Sequence, residues 1–204
     1  GFAQMAGVKI VPVTAKIDDG FELPPISEFE KKITPRTKAI LICNPGNPTG
    51  KVYAPEALDN LAQIVRENNL FLFSDEVYRE FCYEGAIAKS VMQLDGIEQN
   101  VVLIDSVSKR YSMCGARIGA LITKNKELRD TVMKFAMTRL SPPTFGQIAS
   151  EAALKATDDY FSDVRNRYVK RRDLLVEGLN KIPGVICPKP GGAFYAICKF
   201  PIDS

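Results

Sequence analysis

Three short apolar runs constrain the fold of this chain more than any other feature of its sequence. They are residues 39–43 (AILIC), 70–73 (LFLF) and 101–104 (VVLI), and their first residues are 31 positions apart in both intervals. Continuous apolar runs of this length are typical of parallel strands that are buried on both faces. The spacing matches one βαβ unit. The runs therefore predict an α/β fold with a mostly parallel sheet and flanking helices.

The segments around these runs supply further predicted elements. Residues 55–68 are predicted to form the helix of the first crossover, because the segment begins with proline and carries apolar residues at helical spacing. The second crossover is predicted to hold only a short helix at residues 90–94. Residues 8–13 and 117–123 have the composition of additional strands.

The remainder of the chain predicts helices followed by a smaller unit. A capping box opens a short helix at residues 27–30, and a second capping box opens a helix at residues 144–156. Residues 158–180 are predicted to form one long amphipathic helix. Strand-like pieces at residues 185–186 and 193–198 follow a Pro-Gly pair.

Two domains follow from this succession of elements. Residues 1–157 are expected to form part of a large sheet domain, and residues 158–204 a linking helix and the start of a small α+β domain. The sequence begins without methionine, and its last four residues complete no element. We therefore expect both ends to have been cut from a longer protein.

Composition excludes several classes of protein and of catalytic site. The 204 residues are 46% hydrophobic and 25% charged, which is typical of a soluble globular protein rather than a membrane or disordered chain. The excess of 27 basic over 24 acidic residues is too small to indicate binding to nucleic acid. Histidine is absent, and the five cysteines form no C-x-x-C pair. We therefore expect no metal site, and reduced thiols in a cytoplasmic protein.

Each predicted strand ends in a polar segment, at the edge where open α/β sheets bind ligands. The segments are N-P-G-N-P-T-G at 44–50, S-D-E-V-Y at 74–78, D-S-V-S-K at 105–109 and G-A-R-I-G at 115–119. Each segment by itself is also compatible with an ordinary turn or a solvated loop. Together they place a carboxylate, a phenol, an amine and a guanidinium at one edge. Pyridoxal phosphate requires such a set, because a lysine binds its aldehyde, a carboxylate faces its ring nitrogen and a clamp holds its phosphate.

These segments resemble the signatures of the class I aminotransferases, a family of fold-type I pyridoxal-phosphate enzymes. N-P-G-N-P-T-G, S-D-E-V-Y and S-x-S-K followed by G-x-R-x-G occur in the family's order. The resemblance covers nearly the whole chain, including residues 34–42 and 191–195. It implies pyridoxal 5′-phosphate as the cofactor and the exchange of an amino group between an L-amino acid and a 2-oxo acid. Overall resemblance alone favours aspartate and 2-oxoglutarate as the substrates.

The resemblance also implies roles for individual residues. Lys109 matches the lysine that holds the cofactor as a Schiff base and moves the substrate's proton, and Asp75 matches the carboxylate at the ring nitrogen. Tyr78 and Asn47 match the hydrogen-bond donors to the 3′ oxygen of the ring. The phosphate clamp is matched by Ser106, Ser108 and Arg117. The serine next to the lysine is also compatible with a purely structural role.

The resemblance places other functional parts outside this sequence. A small-residue phosphate loop, an aromatic residue that stacks on the cofactor ring and a tyrosine lent to the partner subunit would precede Gly1. The arginine that binds the substrate α-carboxylate would follow Ser204. Two strands of the family's sheet would be missing. One of them normally lies in the sheet between the strand at residues 8–13 and the strand at residues 39–43. We therefore expect a homodimeric parent protein and an isolated chain that is inactive, binds the cofactor weakly and self-associates.

Two alternative functions remain open at this stage. C–S β-lyases and synthases of the same fold use the same residues to hold the cofactor, and analysis of the products formed with 2-oxoglutarate would separate them. The chain could also be a non-catalytic fragment or assembly unit. Retention of Lys109, Asp75, Tyr78 and Arg117 argues against degeneration of the parent protein, but not against inactivity of the fragment.

Overall fold

The computed structural model describes residues 2–202. The outer ends of the two predicted domains, at residues 1 and 203–204, lie outside the described residues. Four strands form one sheet in the order β1-β2-β3-β4. They are Ala39–Cys43 (β1), Phe71–Asp75 (β2), Val101–Ser106 (β3) and Gly119–Ile122 (β4). β1, β2 and β3 are parallel and β4 is antiparallel to β3, which confirms the predicted α/β fold with a mostly parallel sheet.

Seven α-helices and two 3-10 turns complete the described part of the chain. The helices are Phe2–Met5 (α1), Ile26–Glu30 (α2), Pro55–Glu67 (α3), Val107–Arg110 (α4), Lys126–Arg139 (α5), Thr144–Ala153 (α6) and Asp158–Asn180 (α7). The 3-10 turns are Val91–Gln93 and Cys114–Ala116. The predicted boundary between the two domains coincides with the start of α7, and the division itself stays a prediction.

The core lies between α3 and the sheet. α3 begins with Pro55 at its first turn, as predicted, and its apolar side, including Leu58, Leu61 and Val65, is fully buried. These side chains belong to one apolar cluster with the buried residues of β2 and β3. The predicted short helix of the second crossover is confirmed as the turn Val91–Gln93, which has a complete capping box.

Several predicted strands do not form. Residues 8–13 are irregular, and their apolar side chains at positions 8, 10 and 11 are exposed. A strand requires a neighbour for its backbone hydrogen bonds, and in the described chain β1 pairs with β2 alone. Residues 185–186 and 193–198 likewise form no strand, and this region contributes only the isolated bridges Ile186–Lys199 and Cys82–Gly192.

The helix starts also differ in detail from the prediction. Neither expected capping box forms, because Pro25 and Pro143 occupy the N-cap positions of α2 and α6 and the predicted caps lie inside the first turn. α6 ends at Ala153 rather than near residue 156. α7 has the predicted bounds, and its buried residues are Arg172 and Val176. α5 was not predicted, and none of its residues is buried.

Candidate active site

Lys109 lies in the tight connection between β3 and β4. It belongs to the one-turn helix α4, whose N-cap Ser106 accepts a hydrogen bond from the backbone N–H of Ser108 at 3.0 Å. The Ser106 hydroxyl is also 2.7 Å from the Ser108 hydroxyl and 2.9 Å from the carbonyl of Ile118. Val107 donates its N–H to the same carbonyl at 3.3 Å. The lysine is therefore held from both sides by strands of one sheet.

The ammonium group of Lys109 faces aromatic rings. It is 5.9 Å from the ring centre of Tyr78 and 5.9 Å from that of Phe194. Within residues 2–202 it makes no hydrogen bond or ion pair, although the residue is half-buried. Cation–π contacts contribute only about 0.5–2 kcal/mol. The aromatic rings therefore hold the amine in place, and no hydrogen bond or ion pair within residues 2–202 has to be broken before it can react.

Tyr78 is the most enclosed of the predicted site residues. Its side chain is buried, and its hydroxyl oxygen is 2.7 Å from that of Tyr195. Burial, and then the hydrogen bond to Tyr195, raise the pKa of the Tyr78 phenol above its ordinary value. The phenol is therefore neutral at pH 7 and retains a proton that it can donate.

Asp75 occupies the middle of the sheet edge. It is the last residue of β2, opposite Cys43 of β1 and Ile104 of β3. One carboxylate oxygen accepts a hydrogen bond from the N–H of Val77 at 3.2 Å. The other oxygen has no hydrogen-bond partner in the described part of the chain. The carboxylate therefore has an acceptor position open to a ligand.

Arg117 lies beside the two serines. It ends the turn Cys114–Ala116 in the left-handed conformation, with φ 57° and ψ 39°. Its exposed guanidinium donates one hydrogen bond, to the carbonyl of Cys114 at 2.9 Å. The carbonyl of the next residue, Ile118, accepts a hydrogen bond from the Ser106 hydroxyl, so the backbone at Arg117 lies next to the N-terminal end of α4.

Asn47 makes no hydrogen bond to another predicted site residue among residues 2–202. Its side chain is exposed, and its backbone N–H donates to the sulfur of Cys43 at 3.4 Å. The hydroxyl of Tyr78 is paired with Tyr195 and not with Asn47. The structure thus brings the Lys109 amine against the Tyr78 ring. The exposed side chain of Asn47, in the loop after β1, makes no hydrogen bond to Tyr78.

Phe194 and Tyr195 complete the site, although the sequence motifs indicated no role for either residue. Their ring centres are 5.1 and 5.5 Å from that of Tyr78. The segment that carries them approaches closely, because Gly192 donates its N–H to the carbonyl of Gly50 at 2.9 Å. The pair of glycines before two aromatic residues was the available signal, since glycine permits a close backbone approach.

A charged network adjoins the site and was also missed. The Asp105 carboxylate accepts hydrogen bonds from Arg79 at 2.8 Å and from Arg110 at 2.9 Å. Arg79 follows Tyr78 in the sequence, and Arg110 follows Lys109. The network therefore links the segment that carries the phenol to the segment that carries the amine.

Residues 2–202 contain no group of three or more cysteine, aspartate or glutamate side chains that could hold a metal ion. No helix in the same range is long and apolar enough to cross a membrane.

Comparisons with known proteins give consistent matches. The model of one family, described as aminotransferase class I and II, matches residues 2–201. The chain is 36% identical over 189 residues to the aspartate aminotransferase of Sulfurisphaera tokodaii, which covers 91% of this chain and 47% of that protein. It is 34% identical over 193 residues to aromatic-amino-acid aminotransferase 2 of Thermococcus litoralis, with 94% and 49% covered.

A solved structure agrees with these sequence matches. The alanine aminotransferase of Pyrococcus furiosus matches with a TM-score of 0.89 at 33% identity, over 99% of this chain and 52% of that one. The chain therefore spans about half the length of the curated relatives it matches.

Proposed function

Because the chain belongs to the class I and II aminotransferase family, we propose that the protein containing it transfers an amino group between an L-amino acid and a 2-oxo acid. One observation carries the proposal. Lys109 is half-buried at the carboxyl end of the sheet, and its amine faces the rings of Tyr78 and Phe194 without a polar partner among residues 2–202. An amine in that setting is suited to covalent chemistry with a carbonyl group.

The family uses pyridoxal 5′-phosphate, and the side chains at this edge fit that cofactor. Lys109 supplies the amine, Asp75 a carboxylate oxygen without a partner in the described residues, and Tyr78 a neutral phenol. When bound, the cofactor acts as an electron sink for the charge that develops at the substrate Cα. Hydroxyls and positive charge for the phosphate come from Ser106, Ser108 and Arg117.

Lys109 is proposed as both the covalent anchor and the general base. Its Nζ would accept the proton from the substrate Cα and return it during transfer. A positioned base of this kind typically contributes about 10²–10⁴-fold to the rate. Hydrogen bonds hold α4 between β3 and β4 and thereby fix the backbone of Lys109.

The other residues are proposed to hold charge and orientation. The carboxylate of Asp75 would keep the cofactor's ring nitrogen protonated, because a nearby opposite charge favours the charged form. Arg117 would bind phosphate oxygens by charge-assisted hydrogen bonds. Tyr78 would donate to the ring oxygen in place of its present bond to Tyr195, and Asn47 is proposed for the same oxygen on resemblance alone.

Aspartate with 2-oxoglutarate is our proposal for the substrates. It is supported by the relative named aspartate aminotransferase, whereas other similar proteins are named for aromatic amino acids and for alanine. A homodimeric parent protein and a cytoplasmic location stay predictions, and so does weak binding of the cofactor by this chain in isolation.

The covalent assignment can be tested by reduction and peptide mapping. The chain is incubated with a large excess of pyridoxal 5′-phosphate and treated with borohydride, and the label is expected on Lys109 and lost in Lys109→Ala. Lys51 and Lys89 are internal controls, because they are similarly half-buried but paired with Glu22 and Asp59. A label on either control with Lys109 unmodified would contradict the proposal.

The proposed reaction is tested with a protein of the relatives' full length that contains this sequence. With aspartate and 2-oxoglutarate, glutamate is expected to accumulate in proportion to the aspartate consumed. Release of ammonia without a new amino acid would instead indicate a lyase.

A further inference from the structure

Cys187 and Cys198 face each other at the base of a loop. The neighbouring residues Ile186 and Lys199 form an antiparallel bridge with both backbone hydrogen bonds, at 2.9 and 2.8 Å. The next pair inward in such a ladder is a non-hydrogen-bonded pair, whose Cα atoms are about 4.5 Å apart. Side chains of such a pair lie on the same face. The backbone therefore brings these two cysteines together.

The thiols themselves interact. Burial, followed by the adjacent Cys198 thiol, raises the pKa of Cys187 to about 12. Disulfides form between residues whose Cα atoms are about 4.4–6.8 Å apart, and the geometry of a non-hydrogen-bonded pair lies at the short end of that range. A bond between the two sulfurs thus requires little movement of the backbone.

The two cysteines differ in mobility and access. Cys187 is buried, and Asn180 at the end of α7 fixes its backbone with hydrogen bonds of 2.8 and 3.0 Å. Cys198 is only half-buried. An oxidant from solution would therefore reach Cys198 first, with Cys187 held in place behind it.

The loop between the cysteines carries part of the candidate active site. It includes Phe194, whose ring lies below the ammonium of Lys109, and Tyr195, whose hydroxyl bonds to Tyr78. A covalent link between its two ends would limit the excursions of both rings. The state of the two sulfurs is therefore coupled to the order of the site.

We propose that Cys187 and Cys198 are a modification site that forms a reversible intrachain disulfide with a low-molecular-weight disulfide as oxidant. The thiolate of Cys198 attacks one sulfur of the oxidant, which forms a mixed disulfide and releases one small thiol. Cys187 then loses its proton and attacks the Cys198 sulfur, which releases the second small thiol. The two cysteines lose two protons and two electrons, and the oxidant gains both. The inference does not depend on the proposed function.

The linkage can be detected by peptide mapping of the intact chain. The chain is incubated with oxidised glutathione, its free thiols are alkylated, and it is digested with trypsin. Lys189 precedes Pro190, so residues 182–199 stay in one peptide that contains both cysteines. This peptide is expected unalkylated and two hydrogens lighter than its reduced form. Chymotrypsin, which cuts after Phe194 and Tyr195, should yield two pieces that separate only after reduction.

Variants and hydrogen exchange distinguish this pair from general thiol oxidation. Cys198→Ser should leave Cys187 fully alkylated, whereas the matched variant Cys114→Ser, at an exposed thiol, should leave the disulfide unchanged. Amide exchange of residues 190–197 should slow by about tenfold or more on oxidation of the wild-type chain.

Three results would overturn the proposal. They are persistent alkylation of both cysteines in the presence of the oxidant, a stable glutathione adduct on Cys198 with Cys187 still free, and a link from either residue to another cysteine. Unchanged exchange in the disulfide form would overturn the constraint on the loop.

Discussion

Asp105 connects the two segments that carry Tyr78 and Lys109. Its side chain is only 11% exposed, and one carboxylate oxygen accepts hydrogen bonds from both Arg79 and Arg110. Glu80 adds a weaker contact to Arg110 at 3.4 Å. A carboxylate shared by two guanidinium groups restrains both of them, so Asp105 contributes to the relative position of the Tyr78 and Lys109 segments.

Removal of this carboxylate should destabilise the fold. We expect Asp105→Ala to lower the free energy of unfolding by about 2–4 kcal/mol, because two partly buried guanidinium groups lose their acceptor. Asp130→Ala is the matched control, since Asp130 and its partner Arg129 are both exposed. The control should change the stability by less than about 0.5 kcal/mol. Equal effects in urea denaturation would contradict the role given to Asp105.

Glu76 is a buried carboxyl group whose protonation affects stability. It is 2% exposed, and it accepts a hydrogen bond from the N–H of Val91 at 2.9 Å. Burial raises its pKa above the ordinary value of 4.5. The folded chain therefore keeps this proton to a higher pH than the unfolded chain does. Its contribution to stability is consequently lost as the pH rises from 4.5 through the raised pKa.

Glu76→Gln should remove this dependence and keep an acceptor for Val91. The stability of the variant relative to the wild type is expected to increase with pH across that window and to be constant below and above it. Glu28→Gln is a control of opposite sign, because a hydrogen bond from Lys31 lowers the pKa of Glu28. The window for Glu28 lies below pH 4.5, so denaturation measured from about pH 2 to pH 8 checks both variants. A flat difference for Glu76→Gln would refute the assignment.

At the scale of elements, local signals predicted what local interactions stabilise. α3 was predictable because a proline start and an apolar face are enough to specify it. The short helix predicted at residues 90–94 also forms, as the turn Val91–Gln93. The segment 8–13 was not, because its apolar composition indicates a strand only where a neighbouring strand exists to pair with it. α5 was not predicted because none of its residues is buried. A helix without a buried side needs no apolar residues at helical spacing, and that spacing is the pattern that predicts a helix.

The candidate site divides in the same way. Asp75 and Lys109 follow buried strands directly, so their place at the sheet edge could be predicted from the order of elements. The contact between Tyr78 and Tyr195 joins residues 117 positions apart. It depends on the tertiary packing of the segment around Gly192. The local sequence does not indicate which part of the chain this segment packs against.

That packing predicts a contrast between two adjacent glycines. A Cβ on Gly192 would lie 2.7 Å from Val52, 2.8 Å from Pro45 and 2.9 Å from the carbonyl of Phe81, whereas a Cβ on Gly191 would have a nearest neighbour at 3.7 Å. Gly192→Ala should therefore cost about 1–3 kcal/mol of stability and displace the aromatic pair. Gly191→Ala should be nearly neutral in the same thermal denaturation. A neutral Gly192→Ala would show that the segment is not closely packed.

Across the whole described chain, large apolar side chains are exposed on β4, α5 and α6. The most exposed are Phe135 and Met137 on α5, Phe145 on α6, and Leu140 and Leu154 directly after these two helices. An exposed apolar surface of this kind favours association. The free edge of β1 adds unpaired backbone groups, because β1 pairs only with β2 among the described strands. The chain in isolation should therefore not stay monomeric.

We expect the apparent mass in sedimentation velocity to rise above 22.5 kDa as the chain is concentrated. The double variant Phe135→Ser with Phe145→Ser should shift the equilibrium towards the monomer, because both side chains are more than 70% exposed and support little of the core. Leu174→Ser, at 77% exposure on α7, is the control that should leave association unchanged. A wild-type chain that stays at 22.5 kDa throughout would be contrary to this expectation.

The order of strands in the sheet has a consequence for biosynthesis. Each strand lies beside its neighbour in the sequence, so a chain that emerges from the ribosome offers every new strand a partner that is already present. The sheet and the connection that carries Lys109 can therefore assemble early. Phe194 and Tyr195 are synthesised more than 80 residues later. Until Phe194 arrives, the amine of the nascent chain can face the ring of Tyr78 but not the second ring that it faces in the folded chain.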